Sequence, residues 1–168
     1  MKKPGRSPYT GWLAALCALA LLLSLCACVK KDGTPSDAAT VQRKLADQHA
    51  ETALYTGADA PDSPEAAKAR TRLVFRNDAA RWHGVFYEFA ADADAAECFD
   101  ALSAAREVTY SRDAGGNLKI LEYTLETDGT REDWRVTCVG PTILAVAYPE
   151  GDDAAKSAAG KLRVALGY

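Results

Sequence analysis

The stretch LKILEYTLETDGTREDWRVTCVGPTILAVAY, residues 118–148, decides the fold class of this chain of 168 residues. Apolar and polar residues alternate through residues 118–126 and again through residues 131–139, which is the two-residue period of strands with one buried face. Between these segments, Asp128-Gly129 is typical of a tight hairpin turn. The stretch therefore predicts three consecutive antiparallel strands, and the last of them, after Gly140-Pro141, is strongly apolar.

The preceding sequence adds a strand and a helix to this meander. Alternation from Gly84 predicts a strand with two apolar faces near its centre, and the spacing of Ala95, Phe99 and Leu102 is typical of a helix with one buried face. We expect residues 81–168 to run strand, helix, four strands and helix. This order predicts an α+β fold in which a small antiparallel sheet of about five strands carries helices on one face.

Residues 37–80 have a weaker pattern, which predicts a helical N-terminal part with one or two helices. Ser36 or Asp37 can cap a helix that runs to about Leu54. Ser63-Pro64 is typical of the start of a second helix, with serine as the cap and proline in the first turn. Residues 71–76 fit a helix and a strand equally well, so this segment stays open.

The N-terminus has the pattern of an export signal. Three basic residues and no acidic residue occur in residues 1–12, before an apolar run of thirteen residues at 13–25. A membrane-spanning helix needs about 20 apolar residues, whereas a shorter run behind a basic segment is typical of a signal peptide. The run ends in Leu25-Cys26-Ala27-Cys28, which resembles the lipobox of bacterial lipoproteins.

The resemblance implies a lipid anchor on Cys28. It implies that residues 1–27 are a signal peptide, that diacylglycerol is attached to the Cys28 sulfur, and that residues 28–36 tether a single domain at 37–168. Cys28 fits better than Cys26, because the bulky Leu25 would directly precede a cleavage site at Cys26. The expected location is the cell membrane, on its exported face. Ordinary secretion, with cleavage before Cys28 and no lipid, is the alternative.

Two cysteines, Cys98 and Cys138, remain in the exported domain after removal of the signal peptide and lipidation. An even number of cysteines in an exported domain permits a disulfide bond. Two buried free thiols, which behave as small apolar side chains, are the alternative. We expect the two residues to be neighbours, because Cys98 flanks the buried stripe of its helix and Cys138 shares a strand face with Trp134 and Val136.

No motif in the sequence predicts a particular reaction, metal or cofactor. His49 and His83 have no metal ligand at a suitable spacing, and we interpret His83 as a strand-edge residue. The acidic clusters at the predicted helix starts are explained by helix capping and the helix dipole. One segment is unusually basic, and on a helix several of its side chains would form one stripe. This possible binding patch consists of Lys68, Arg70, Arg72, Arg76 and Arg81.

The sequence favours a binding or accessory protein of the cell envelope over an enzyme. The net charge of −3 and the 26% of charged residues are ordinary for a globular protein and give no reason to expect a nucleic-acid partner. The expected partner is an envelope protein or an anionic envelope polymer. Two alternatives stay open, a small envelope enzyme and a ligand or peptide receptor, each with a site assembled from dispersed residues.

Overall fold

A seven-stranded antiparallel sheet is the frame of the described residues, 35–113 and 118–168 of a computed structural model. The strands are β1 (Glu51–Thr56), β2 (Thr71–Asn77), β3 (Trp82–Glu88), β4 (Val108–Asp113), β5 (Leu118–Thr127), β6 (Thr130–Val139) and β7 (Thr142–Pro149). The helices are α1 (Ala38–Asp47), α2 (Asp92–Ala104) and α3 (Asp153–Leu166). The order of strands across the sheet is β1-β2-β3-β7-β6-β5-β4.

Two meanders build this sheet, β1 to β3 and β4 to β7, and they meet where β3 pairs with β7. The turn between β5 and β6 is the predicted Asp128-Gly129 hairpin, and both residues have the positive φ angles that such a turn requires. β7 is buried from Thr142 to Ala147. A central strand with an almost continuous apolar sequence needs cover on both faces.

The helices supply that cover from both sides, so the expectation that they lie on one face is wrong. We call the face under α2 the front face and the face under α1 and α3 the back face. Tyr87 and Ile143 belong to the front core, whereas their neighbours Phe86 and Leu144 belong to the back core. Because successive side chains on a strand point to opposite faces, the apolar runs in β3 and β7 require two helical layers.

The N-terminal part also differs from the prediction, and it makes the sheet larger than the expected five strands. The first helix ends at Asp47 and does not reach Leu54, because His49 takes a positive φ of 56° and the chain continues as β1. No helix forms after Ser63-Pro64, where the chain makes turns. Residues 71–77 form β2, because Leu73 and Phe75 alternate and both enter the back core.

Other predicted features of the chain lie outside the described residues. They are the signal peptide at 1–27, Cys28, and most of the tether at 28–36. Among the residues that are described, no helix is long and apolar enough to cross a membrane.

Candidate functional site

An open groove lies on the front face, at the end of β1, β2 and β3. α2 packs on β6 and β7, and no described helix packs on the front face of β1 and β2. The groove has a volume of about 670 Å³, within the range of small-molecule and peptide sites. It is lined by Glu51, Thr52, Ala53, Val74, Phe75, Arg76, Asn77, Asp78, Arg81, Trp82, His83, Glu132 and Pro149.

Apolar side chains form part of the wall of this groove. Ala53 lies opposite Val74 in the β1–β2 pair, and Val74 lies opposite Val85 in the β2–β3 pair. Val85 packs against the front core, whereas Val74 is 38 % exposed. The apolar face of the sheet therefore continues outward from the core into the groove, where nothing among the described residues covers it. Apolar side chains beside a few polar groups are the usual lining of a ligand pocket.

A histidine and a carboxylate face each other in the groove. His83 on β3 and Glu132 on β6 are 49 positions apart in the sequence, and β7 lies between their strands. The distance between His83 Nε2 and Glu132 Oε2 is 3.5 Å. The two groups form an ion pair only when the imidazole is protonated. When the imidazole is neutral, the Glu132 carboxylate is available to accept hydrogen bonds from a ligand.

The His83 ring contacts a pair of aromatic rings on the front face of the sheet. The imidazole lies edge-on to Trp134, with ring centroids 5.4 Å apart, and Trp134 is stacked on Tyr123 at 6.2 Å. Tyr123 is a buried member of the front core, and Trp134 packs against that core. These contacts favour the observed position of the His83 ring, because aromatic pairs in such geometries attract each other beyond their burial.

The two arginines of the groove already have carboxylate partners. Arg76 and Glu51 form an ion pair across β1 and β2, with 2.7 Å between Arg76 Nη2 and Glu51 Oε2, and the hydrogen bond to Glu51 raises the pKa of Arg76. Arg81 Nη1 lies 2.7 Å from Asp152 Oδ2, just before α3. These contacts leave the groove with no uncompensated arginine.

The five basic residues predicted as one patch do not form a helical stripe, because Arg72 and Arg76 lie on a strand. Lys68 precedes β2 and contacts Asp94 and Glu97 of α2 at 3.3 and 2.6 Å. Arg72 is mostly buried and lies 2.7 Å from Asp62. Of the five residues, only Arg76 and Arg81 line the groove. Arg70 is exposed, directly before β2.

Cys98 and Cys138 are both buried in the front core, and both are free thiols. Burial raises the pKa of Cys98 to about 12, and the neighbouring Cys138 contributes to that rise. Burial also raises the pKa of Cys138, to about 11. The structure places both residues in the front core. Oxidation to a disulfide in the exported compartment stays a prediction.

Apart from Arg76 and Arg81, the residues of the groove were not selected by the sequence analysis. His83, which is the second residue of β3, was interpreted as a strand-edge residue, and Glu132 was not singled out. The one signal available was the aromatic segment Trp82-His83 beside Gly84. Within the described ranges, no cluster of three or more histidine, cysteine, aspartate or glutamate residues could hold a metal ion.

No family model matches this chain, and comparisons with curated proteins and with solved structures give no match. The chemistry and geometry of the groove are therefore the basis for inferring function.

Proposed function

We propose that this chain is a lipid-anchored protein of the bacterial cell envelope, and that its groove binds a segment of another envelope protein. The observation that carries the proposal is the open groove at β1–β3, in which an uncovered apolar wall adjoins a carboxylate and an imidazole. Apolar contacts beside a few fixed polar groups are the usual composition of a recognition site.

The charges of the groove favour a protein partner over an anionic polymer. Its lining contains the carboxylates of Glu51, Asp78 and Glu132, against the guanidinium groups of Arg76 and Arg81. Both arginines are paired with acids. An anionic polymer would have to compete with those carboxylates, and it would approach a domain that is itself acidic. The Glu132 carboxylate can accept a hydrogen bond from an amine or an amide N–H of a polypeptide.

The lipid anchor rests on the resemblance of Leu25-Cys26-Ala27-Cys28 to a lipobox. Cleavage before Cys28 removes three basic and no acidic groups, which takes the net charge from −3 to −6. Two or more acyl chains hold a protein stably on a bilayer, because each buried CH₂ contributes about 0.8 kcal/mol.

The first prediction concerns the anchor itself. Cells that produce the chain and are fed an alkyne analogue of palmitate should label it, and the label should be lost in Cys28→Ala, because that variant lacks the acceptor sulfur. The same variant should keep its signal peptide and migrate as the longer precursor. Cys26→Ala is the matched control and should stay labelled. Label that persists in Cys28→Ala and disappears in Cys26→Ala would contradict the assignment.

The second prediction concerns the groove. A photo-crosslinking amino acid placed at Val74, which faces the groove, should form an adduct with an envelope protein in living cells. Glu132→Gln in the same chain should reduce the yield of that adduct about tenfold, because a hydrogen bond to a charged group contributes about 1.5–3 kcal/mol. Adduct yield is measured on immunoblots of membrane fractions.

Two controls separate groove binding from random contact at the membrane. The same photo-crosslinking residue at Val164, which is 76 % exposed on α3, should not give that adduct, because α3 lies on the back face. Arg131→Gln removes a cation that pairs with Glu150 outside the groove lining, and it should leave the yield unchanged. Equal adducts from Val74 and Val164 would refute the groove as the recognition surface.

A further inference from the structure

β1 is an outer strand of the sheet, and among the described residues it lacks the features that usually protect such an edge. Outer strands are commonly blocked by bulges, prolines, lysines or covering segments. β4, at the opposite edge, has a bulge between Val108 and Tyr110. β1 pairs with β2 in unbroken register from Glu51 to Thr56 and contains neither lysine nor proline.

The hydrogen bonds around β1 show which backbone groups point outward. The N–H of Gly57 donates to the carbonyl of Arg70 on the β2 side, at 3.1 Å. In an antiparallel pair, every second residue bonds to the neighbouring strand and the residues between point the other way. The residues that bond to β2 are therefore 51, 53 and 55, and the N–H and C=O groups of Thr52, Leu54 and Thr56 point to the open edge.

Apolar side chains are exposed along the same edge. Leu54 is 46 % exposed on the back face, opposite Leu73, and Tyr55 is 37 % exposed on the front face, where Val74 of β2 is 38 % exposed. Three of the six large apolar side chains exposed among the described residues are therefore on β1 and β2. Free backbone groups together with exposed apolar side chains are what an added strand requires.

We propose that β1 pairs with β1 of a second copy of this chain, antiparallel and about a two-fold axis through Leu54. In this register Leu54 lies opposite Leu54 of the second copy, and Thr52 lies opposite Thr56 of the second copy. All outward N–H and C=O groups of these three residues then have partners across the axis. The two sheets become one continuous sheet with both front faces on the same side.

The side chains of β1 favour a second copy as the occupant of this edge. An isologous interface must be compatible with itself, and the only charged residue of β1 is Glu51. In the proposed register Glu51 lies opposite Gly57 of the second copy, so no like charges face each other. Ala53 lies opposite Tyr55 on the front face. The proposal does not depend on what the groove binds.

Cysteine cross-linking of the full chain in membranes tests this register. In Leu54→Cys, the two introduced Cα atoms are about 5.5 Å apart across the axis, which is within the range that a disulfide spans. We expect mild oxidation to convert this variant to a band at twice the chain mass on a non-reducing gel. The unsubstituted chain sets the background from its own cysteines.

Thr52→Cys is the matched control on the same edge. Its two copies lie four residues out of register, about 14 Å apart, so it should stay at the background level of dimer. A mixture of Thr52→Cys and Thr56→Cys chains should cross-link, because these positions face each other. Failure of both Leu54→Cys and the mixture overturns the proposal. Equal cross-linking of Thr52→Cys alone, or a Leu54→Cys adduct with a different protein in place of the dimer, also overturns it.

Discussion

Replacing Phe86 by alanine should lower the free energy of unfolding by about 3–5 kcal/mol, the usual cost of removing a buried aromatic ring. Phe86 is fully buried, at 0 % exposure, in the back core. Its ring meets that of Tyr168 edge-on, with centroids 6.4 Å apart. Alanine would leave a cavity between β3 and the helices of the back face, and urea denaturation followed by circular dichroism measures the loss.

This substitution tests whether the second helical layer exists. If helices covered the front face alone, the Phe86 side chain would be in water and its removal would cost little. Val164→Ala on α3 is the control, and it should change the free energy of unfolding by less than about 0.5 kcal/mol, as surface substitutions usually do. A loss below about 1 kcal/mol for Phe86→Ala would mean that the back face is open, because a buried phenylalanine costs more.

Replacing Gly84 by alanine should also destabilise the fold strongly, by about 3 kcal/mol, the upper end of the usual cost of overpacking a core. A Cβ atom at Gly84 would overlap the carbonyl oxygen of Ala145 and would lie 2.7 Å from Cζ of Phe75. These neighbours are the backbone of β7 and a buried ring, so neither can move freely. The substitution therefore strains the junction where the two meanders meet.

Gly129→Ala separates this steric effect from the general cost of losing a glycine. Gly129 has a φ of 76°, and a Cβ atom there would meet nothing within 4 Å. We expect a loss of about 1 kcal/mol for this variant, because an L-residue in the left-handed region is strained. Equal stability of the two alanine variants in thermal unfolding would contradict this prediction. It would mean that β3 and β7 leave room for a Cβ atom at Gly84.

Much of the sheet could be predicted from local patterns. Alternation in residues 118–139 predicted β5 and β6, and the Asp128-Gly129 turn followed from the special backbone angles of that dipeptide. The helix around Ala95 and Phe99 is present as α2. The number of helical layers was misjudged, although the apolar run of β7 and the two apolar faces of β3 contained the signal. A two-residue alternation indicates a strand. It does not show whether the other face of the sheet is exposed to solvent or covered by a helix.

The groove and the open edge required the assembled structure. His83 is on β3 and Glu132 is on β6, and these two strands flank β7. No local pattern in the sequence predicts this order of strands. Residues 71–77 form a strand because Leu73 and Phe75 are buried in the back core together with residues of α1. This contact joins segments that are distant in the sequence. Similarly, the predicted basic stripe did not form, because Arg72 and Arg76 lie on β2. Lys68 and Arg81 pair with carboxylates far away in the sequence.

Local chemistry in the sequence was enough to predict the Asp128-Gly129 turn and the strands of the C-terminal half. It is also the basis of the signal peptide and of the lipid site at Cys28, which stay predictions. Each of these depends on neighbours within a few residues, through side-chain length, turn geometry or alternation. The second helical layer, β1 and β2, and the meeting of His83 with Glu132 depend on which distant surfaces bury each other. Which residues are buried depends on the order of the strands in the whole sheet. The tertiary structure therefore decided these features, because local sequence patterns do not contain that order.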